Sequence, residues 1–163
     1  MISHEIESAL DTLAVMIADG NAYTRRLTRQ MLYTIGIKAI HETGDGVATV
    51  NSISTFRPDI LILDWEMPGL EGAEVMRIVR TPGVFPTSGL PTIMLTYLGL
   101  ESRVTTAIEV GVHEFLIRPI SPKMLQQRLF GIIANPRPMI RAGDLYIPMP
   151  RRHIDLKGIM NVS

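Results

Sequence analysis

The chain has no cysteine. That excludes disulfide staples, thiolate nucleophiles and cysteine-ligated metal centres. Long apolar runs are missing too, since no stretch approaches the ~18 residues that a membrane-spanning helix needs. Net charge is nil: 16 Lys and Arg are matched by 16 Asp and Glu. Bulk charge therefore gives no general attraction to nucleic acid or to an anionic membrane. Histidines are few and scattered, at His4, His41, His113 and His153, without the spacing of a zinc site. There is no Gly-rich phosphate loop, and Gly44-Asp45-Gly46 reads as a turn before a helix. The N-terminal stretch carries Glu5, Glu7 and Asp11 without a basic cluster, unlike a secretion signal. The expected location is the cytoplasm.

What is present suits one globular domain with some chain to spare. The 163 residues are 46% hydrophobic and 20% charged. Residues 3–12 have helical spacing and form a lead-in to a domain over 13–134. Leu13 to Ala18 is an apolar strand ending at Asp19-Gly20-Asn21. A helix follows over 22–35, with Gly36 as its stop. Ile37 to Glu42 reads as a strand, and a helix then runs up to Arg57-Pro58. Ile60 to Leu63 is a strand leading into Asp64-Trp65-Glu66-Met67-Pro68-Gly69. A helix spans 72–80, a Pro/Gly-rich loop 81–89 and a strand 91–96. A helix over 101–110, a strand over 114–117 and a helix opened by Ser121-Pro122 close the domain. Five alternations of strand and helix specify an α/β fold, a parallel sheet with helices on both faces. Right-handed crossovers bring Asp19, Asp64, Thr96 and Arg118 to one sheet edge, where open α/β sheets bind ligands.

The stretch Asp64-x-x-Met67-Pro68-x-Leu70-Glu71-Gly72, after an Ile/Leu strand, resembles the phosphoacceptor loop of response-regulator receiver domains of the CheY-like kind. The resemblance covers about 13–134 and implies a flavodoxin-like five-stranded sheet in the order 2-1-3-4-5. It implies that Asp64 accepts a phosphoryl group, that Thr96 donates to it and that Arg118 holds the place of the pairing Lys. Thr96 and Phe115 hold the switch positions. It also implies Mg²⁺, held by Asp19, Asp64 and Glu66, the last through carboxylate or backbone carbonyl. Any enzymatic activity would stop at self-catalysed phosphoryl transfer to Asp64 and its hydrolysis.

Two essential positions depart from that pattern. Gly20 stands where the second acid of the metal pair belongs, which weakens Mg²⁺. Arg118 is a planar fork where a compact ammonium is expected. Tyr97 follows Thr96 where a small residue is usual. The extension 135–163 is too short for an output domain, yet Met139, Ile140, Leu145, Tyr146, Ile147 and Met149 are too apolar to stay solvated. It is expected to pack on the receiver or on a partner.

The leading expectation is a two-component signalling receiver, phosphorylated on Asp64, that signals by protein contact. A histidine kinase or phosphotransfer protein would stand upstream and a protein target downstream. A homodimer stays open; membrane and DNA are not expected partners. Two alternatives belong to other classes. One is a phosphorylation-independent adaptor that keeps the fold and has lost the chemistry. The other is a cyclic-dinucleotide effector acting through Arg137, Arg141, Arg151 and Arg152 of the tail.

Overall fold

The computed structural model describes residues 4–85 and 88–150. A lead-in helix α1 (His4–Thr12) precedes β1 (Ala14–Ala18), α2 (Ala22–Ile35), β2 (Ala39–Thr43), α3 (Gly46–Phe56) and β3 (Ile60–Asp64). Then come α4 (Gly72–Arg80), β4 (Thr92–Thr96), α5 (Glu101–Glu109), β5 (Glu114–Ile117) and α6 (Pro122–Ala134). Five parallel strands form one sheet in the order β2-β1-β3-β4-β5, the flavodoxin-like order the resemblance implies. Among the described residues, no helix is long and apolar enough to cross a membrane.

The strand side chains alternate between two cores, as a period of two demands. Met16, Leu61, Leu63 and Met94 pack with Ile53, Val75, Met76 and Ala107 on the face covered by α3, α4 and α5. Val15, Ile17, Ile60, Ile62 and Ile93 pack with Leu10, Leu32, Leu125 and Leu129 on the other. All five residues of β3 are buried, which accounts for the unbroken apolar run that leads to Asp64.

Most boundaries fall within a residue of the sequence reading, and the start of the second strand differs by two. The second strand begins at Ala39, not Ile37. Gly36 closes α2 in the left-handed region, φ 112°, and the Ile37 N–H returns to the Leu32 carbonyl at 3.0 Å. Ile37 thus belongs to the helix cap, as the apolar residue that follows a left-handed glycine.

Past α6 the chain forms a hairpin, β6 (Met139–Ala142) with β7 (Leu145–Pro148), antiparallel. Gly143 has φ 63°, and a left-handed glycine at the first position of a two-residue loop is the requirement of a type II′ turn. The hairpin docks on the receiver: the Arg137 guanidinium donates to the His113 carbonyl. A Cβ built on Gly111 would lie 3.0 Å from the Tyr146 carbonyl oxygen, and one on Gly89 3.1 Å from Met139 Cγ. Both glycines precede strands, so the hairpin sits at the end of the sheet away from Asp64. Residues 135–150 therefore pack in cis; Arg151, Arg152 and the apolar residues beyond them lie outside the described residues.

Arg80 organises that far end. It is fully buried, and its hydrogen-bond partners are carbonyls and the His113 ring nitrogen. Nε and Nη2 donate to the Gly111 carbonyl at 3.1 and 2.9 Å. Nη1 donates to Ser88 O at 2.7 Å, and Nη2 to Leu90 O at 2.6 Å. Burial pulls its pKa down to about 9, which still leaves it charged at neutral pH. One guanidinium therefore ties the end of α4, the loop into β4 and the turn into β5. Replacing it takes a donor from three carbonyls, of which Leu90 keeps the Thr92 hydroxyl and Ser88 is half-buried; a buried carbonyl left unpaired costs about 1–3 kcal/mol. Arg80→Met is expected to lower stability by about 3 kcal/mol or more in urea denaturation. Arg80→Lys, which lacks the fork, should recover only part of the loss.

Candidate functional site at the carboxyl edge of the sheet

The strand register sets the geometry. Ala18 pairs with Leu63, so Asp19 and Asp64 follow at the same level. Asp64 pairs with Leu95, which puts Thr96 one residue beyond it, and Thr96 pairs with Ile117, directly before Arg118. Four side chains from four strands thus converge, as the sequence reading expected. The Arg118–Pro119 peptide is cis.

Arg118 spans the two acids. Its Nη2 donates to Asp19 Oδ2 at 3.0 Å, and its Nε lies 3.6 Å from Asp64 Oδ1. The Arg118 and Asp64 side chains are each 6% exposed and that of Asp19 2%, so water screens this trio little. The contact to Asp64 exceeds hydrogen-bond length, and Asp64 Oδ1 and Arg118 Nε have no hydrogen-bond partner. Asp19 is fully engaged. Its Oδ1 accepts from the Asn21 N–H at 2.8 Å, and Oδ2 also accepts from Thr24 Oγ1 at 2.6 Å. Arg25 Nη1 donates to the Asp19 carbonyl at 2.6 Å. The Tyr97 ring lies 5.4 Å from the Arg118 guanidinium carbon, so the ring that stands where a small residue is usual lies over the cation.

Thr96 is buried at the end of β4, where its hydroxyl donates to Glu66 Oε1 at 3.0 Å. Glu66, implied as a metal ligand, instead pairs with Arg103. Phe115 is half-buried on β5 opposite Met94 and packs against the core beneath α3 to α5. Arg103 went unnoticed in the sequence. Its signal was a cation in the first turn of a helix, where the dipole disfavours positive charge unless an acid answers it.

A magnesium ion fits this arrangement poorly. It would need free oxygens at an octahedral centre. Gly20 supplies no side-chain oxygen, and a Cβ there would lie 2.8 Å from Pro68 Cδ. Both Asp19 oxygens already accept hydrogen bonds, Glu66 Oε1 is taken, and although Asp64 Oδ1 and Glu66 Oε2 are unpartnered, a guanidinium already lies between Asp19 and Asp64. Among the described residues, no group of three His, Asp or Glu side chains is disposed to hold a metal.

The family model that matches the chain is the response regulator receiver domain, over residues 15–130. The chain belongs to that family. It is similar to the chemotaxis protein CheY1 of Helicobacter pylori, 27% identical over 124 residues, 76% of this chain and 98% of that protein. A response regulator from Chloroflexus aurantiacus has the same fold, with TM-score 0.69 and 27% identity over 76% of this chain and 98% of its own. The receiver domain of a Pseudomonas aeruginosa sensor histidine kinase, whose cleft coordinates magnesium, superposes with TM-score 0.68. At 22% identity, over 76% of this receiver and 98% of that chain, it speaks for the fold alone.

Burial, opposed by Arg118 and reinforced by Asp19 and Glu66, pushes the Asp64 carboxyl up to about 7. In the unfolded chain it titrates near ~3.9. The folded state therefore keeps this proton where the unfolded state has lost it. The resulting stabilisation is full below about pH 4 and fades as pH rises through about 7. Asp64→Asn should remove that slope, as read by thermal melts across the same window.

Proposed function

We propose that this receiver acts in two-component signalling as a phosphorylation-independent adaptor, working by protein contact. The observation that carries the reading is Arg118 lying between Asp19 and Asp64 at 6% exposure. A phosphoacceptor site must neutralise both its own carboxylates and the incoming phosphoryl group, a task shared between metal and ammonium. Here the second metal acid is Gly20, and the space beside it is filled by the Pro68 ring. One guanidinium already offsets one of the two carboxylate charges, so part of the charge balance that a metal and an ammonium would establish is built into the chain.

The phosphoacceptor reading has in its favour Asp64 at the end of β3, Thr96 at the end of β4 and Phe115 on β5. Against it stand the occupied Asp19 oxygens and the committed Thr96 hydroxyl. In either reading the upstream partner would be a histidine kinase or phosphotransfer protein and the output a protein target. The cyclic-dinucleotide reading loses Arg137, which is tied to the His113 carbonyl.

Incubation with a small-molecule phosphodonor and Mg²⁺, read by intact mass, tests the proposal. The wild type should show no phosphoryl adduct. A Gly20→Asp, Pro68→Ala, Arg118→Lys variant, with acid and ammonium restored and room made for them, should gain one. An adduct on the wild-type chain that Asp64→Asn abolishes would overturn the adaptor reading.

A further inference from the structure

A second guanidinium faces this edge from another element. Arg103 sits in the first turn of α5, and its Nη1 pairs with Glu66 Oε1 and donates to Thr96 Oγ1 at 2.8 Å. Its guanidinium carbon lies 4.9 Å from the centre of the Trp65 ring, which is buried beneath it. The Arg103 and Glu66 side chains are 19% and 39% exposed, so water reaches the pair only in part.

The decisive point is the hydrogen-bond inventory of Thr96. A hydroxyl has one proton and two lone pairs. The proton goes to Glu66 Oε1 at 3.0 Å. The lone pairs accept from Arg103 at 2.8 Å and from the Leu98 N–H at 3.2 Å. Nothing remains for Asp64. The loop fixed in this way carries Tyr97, Leu98 and Leu100, which are 56%, 49% and 54% exposed. It is an apolar stretch held out at the rim of the site, and its backbone is anchored by the Leu98 N–H on the Thr96 hydroxyl.

We propose that Arg103, acting through Glu66 and Thr96, is the latch that sets the loop between β4 and α5. Display of the apolar loop then answers to the Glu66–Arg103 ion pair, which reaches the loop through Thr96 without a hydrogen bond to Asp64. Arg103 is a positioning residue. Releasing it separates a half-screened ion pair, uncovers Trp65 and strips the buried Thr96 hydroxyl of an engaged partner. The inference goes beyond the adaptor reading and concerns the chain that carries no phosphoryl group.

Two local readouts test it on the full chain: amide exchange of Leu98 by NMR, and acrylamide quenching of Trp65, the only tryptophan. In Arg103→Gln the Leu98 amide should exchange at least tenfold faster and quenching should at least double, while the amides of β1 and β3 stay protected. Glu66→Gln should do the same, and it serves where Arg103→Gln does not fold. Asp64→Asn should leave both readouts within twofold of wild type. The proposal is overturned if the folded Arg103 or Glu66 variant keeps wild-type values, or if Asp64→Asn loosens Leu98 as much as they do. A phosphoryl adduct on the wild type would sink the adaptor reading, whereas these two readouts, taken without phosphodonor, test the latch separately.

Discussion

Two carboxylates held level at the end of a parallel sheet, nearly dry, need a cation beside them. Arg118 supplies it, and much of that edge is arranged around the need. The fork geometry lets Nη2 reach Asp19 while Nε stays near Asp64, a reach that a compact ammonium lacks. Tyr97 lies against the guanidinium, and Asn21 and Thr24 take up what remains of Asp19. Desolvation is not fully offset, which is why Asp64 still holds its proton more tightly than an exposed aspartate.

Arginine recurs at both ends of the sheet, with different partners. Arg118 and Arg103 answer carboxylates at the carboxyl edge. Arg80, at the opposite end, answers carbonyls and the His113 ring nitrogen and draws three chain segments together. The docked hairpin lies at that same far end, so the signalling edge and the C-terminal extension rest on separate supports. Among the described residues, the extension over 135–150 is part of the receiver's packing and lies away from the loop after β4.

Much of this was legible in the residues. The alternation of apolar runs with helical periods specified a parallel sheet, and Asp19, Asp64, Thr96 and Arg118 could be placed at strand ends because each closes its run. The strand order came from the family resemblance, since periodicity carries no neighbour information. Arg80 was not legible: a charged residue closing an amphipathic helix reads as exposed, and only its carbonyl partners explain its burial. The Glu66–Arg103 pair was not legible because it joins side chains 37 residues apart through rotamer choice. The hairpin had a signal in Gly143-Asp144 between two apolar stretches, but only the apolar character drew notice. The start of β2 was misplaced because Ile37 is apolar for the sake of the helix cap.

The contact between Gly20 and Pro68 makes the site's departure from its family hard to reverse. A carboxylate reintroduced at position 20 meets the proline ring at 2.8 Å before it can help any metal. A carboxylate there therefore has room only once the ring at position 68 has changed. The edge behaves as a ratchet in sequence space, with the proline ring as its tooth.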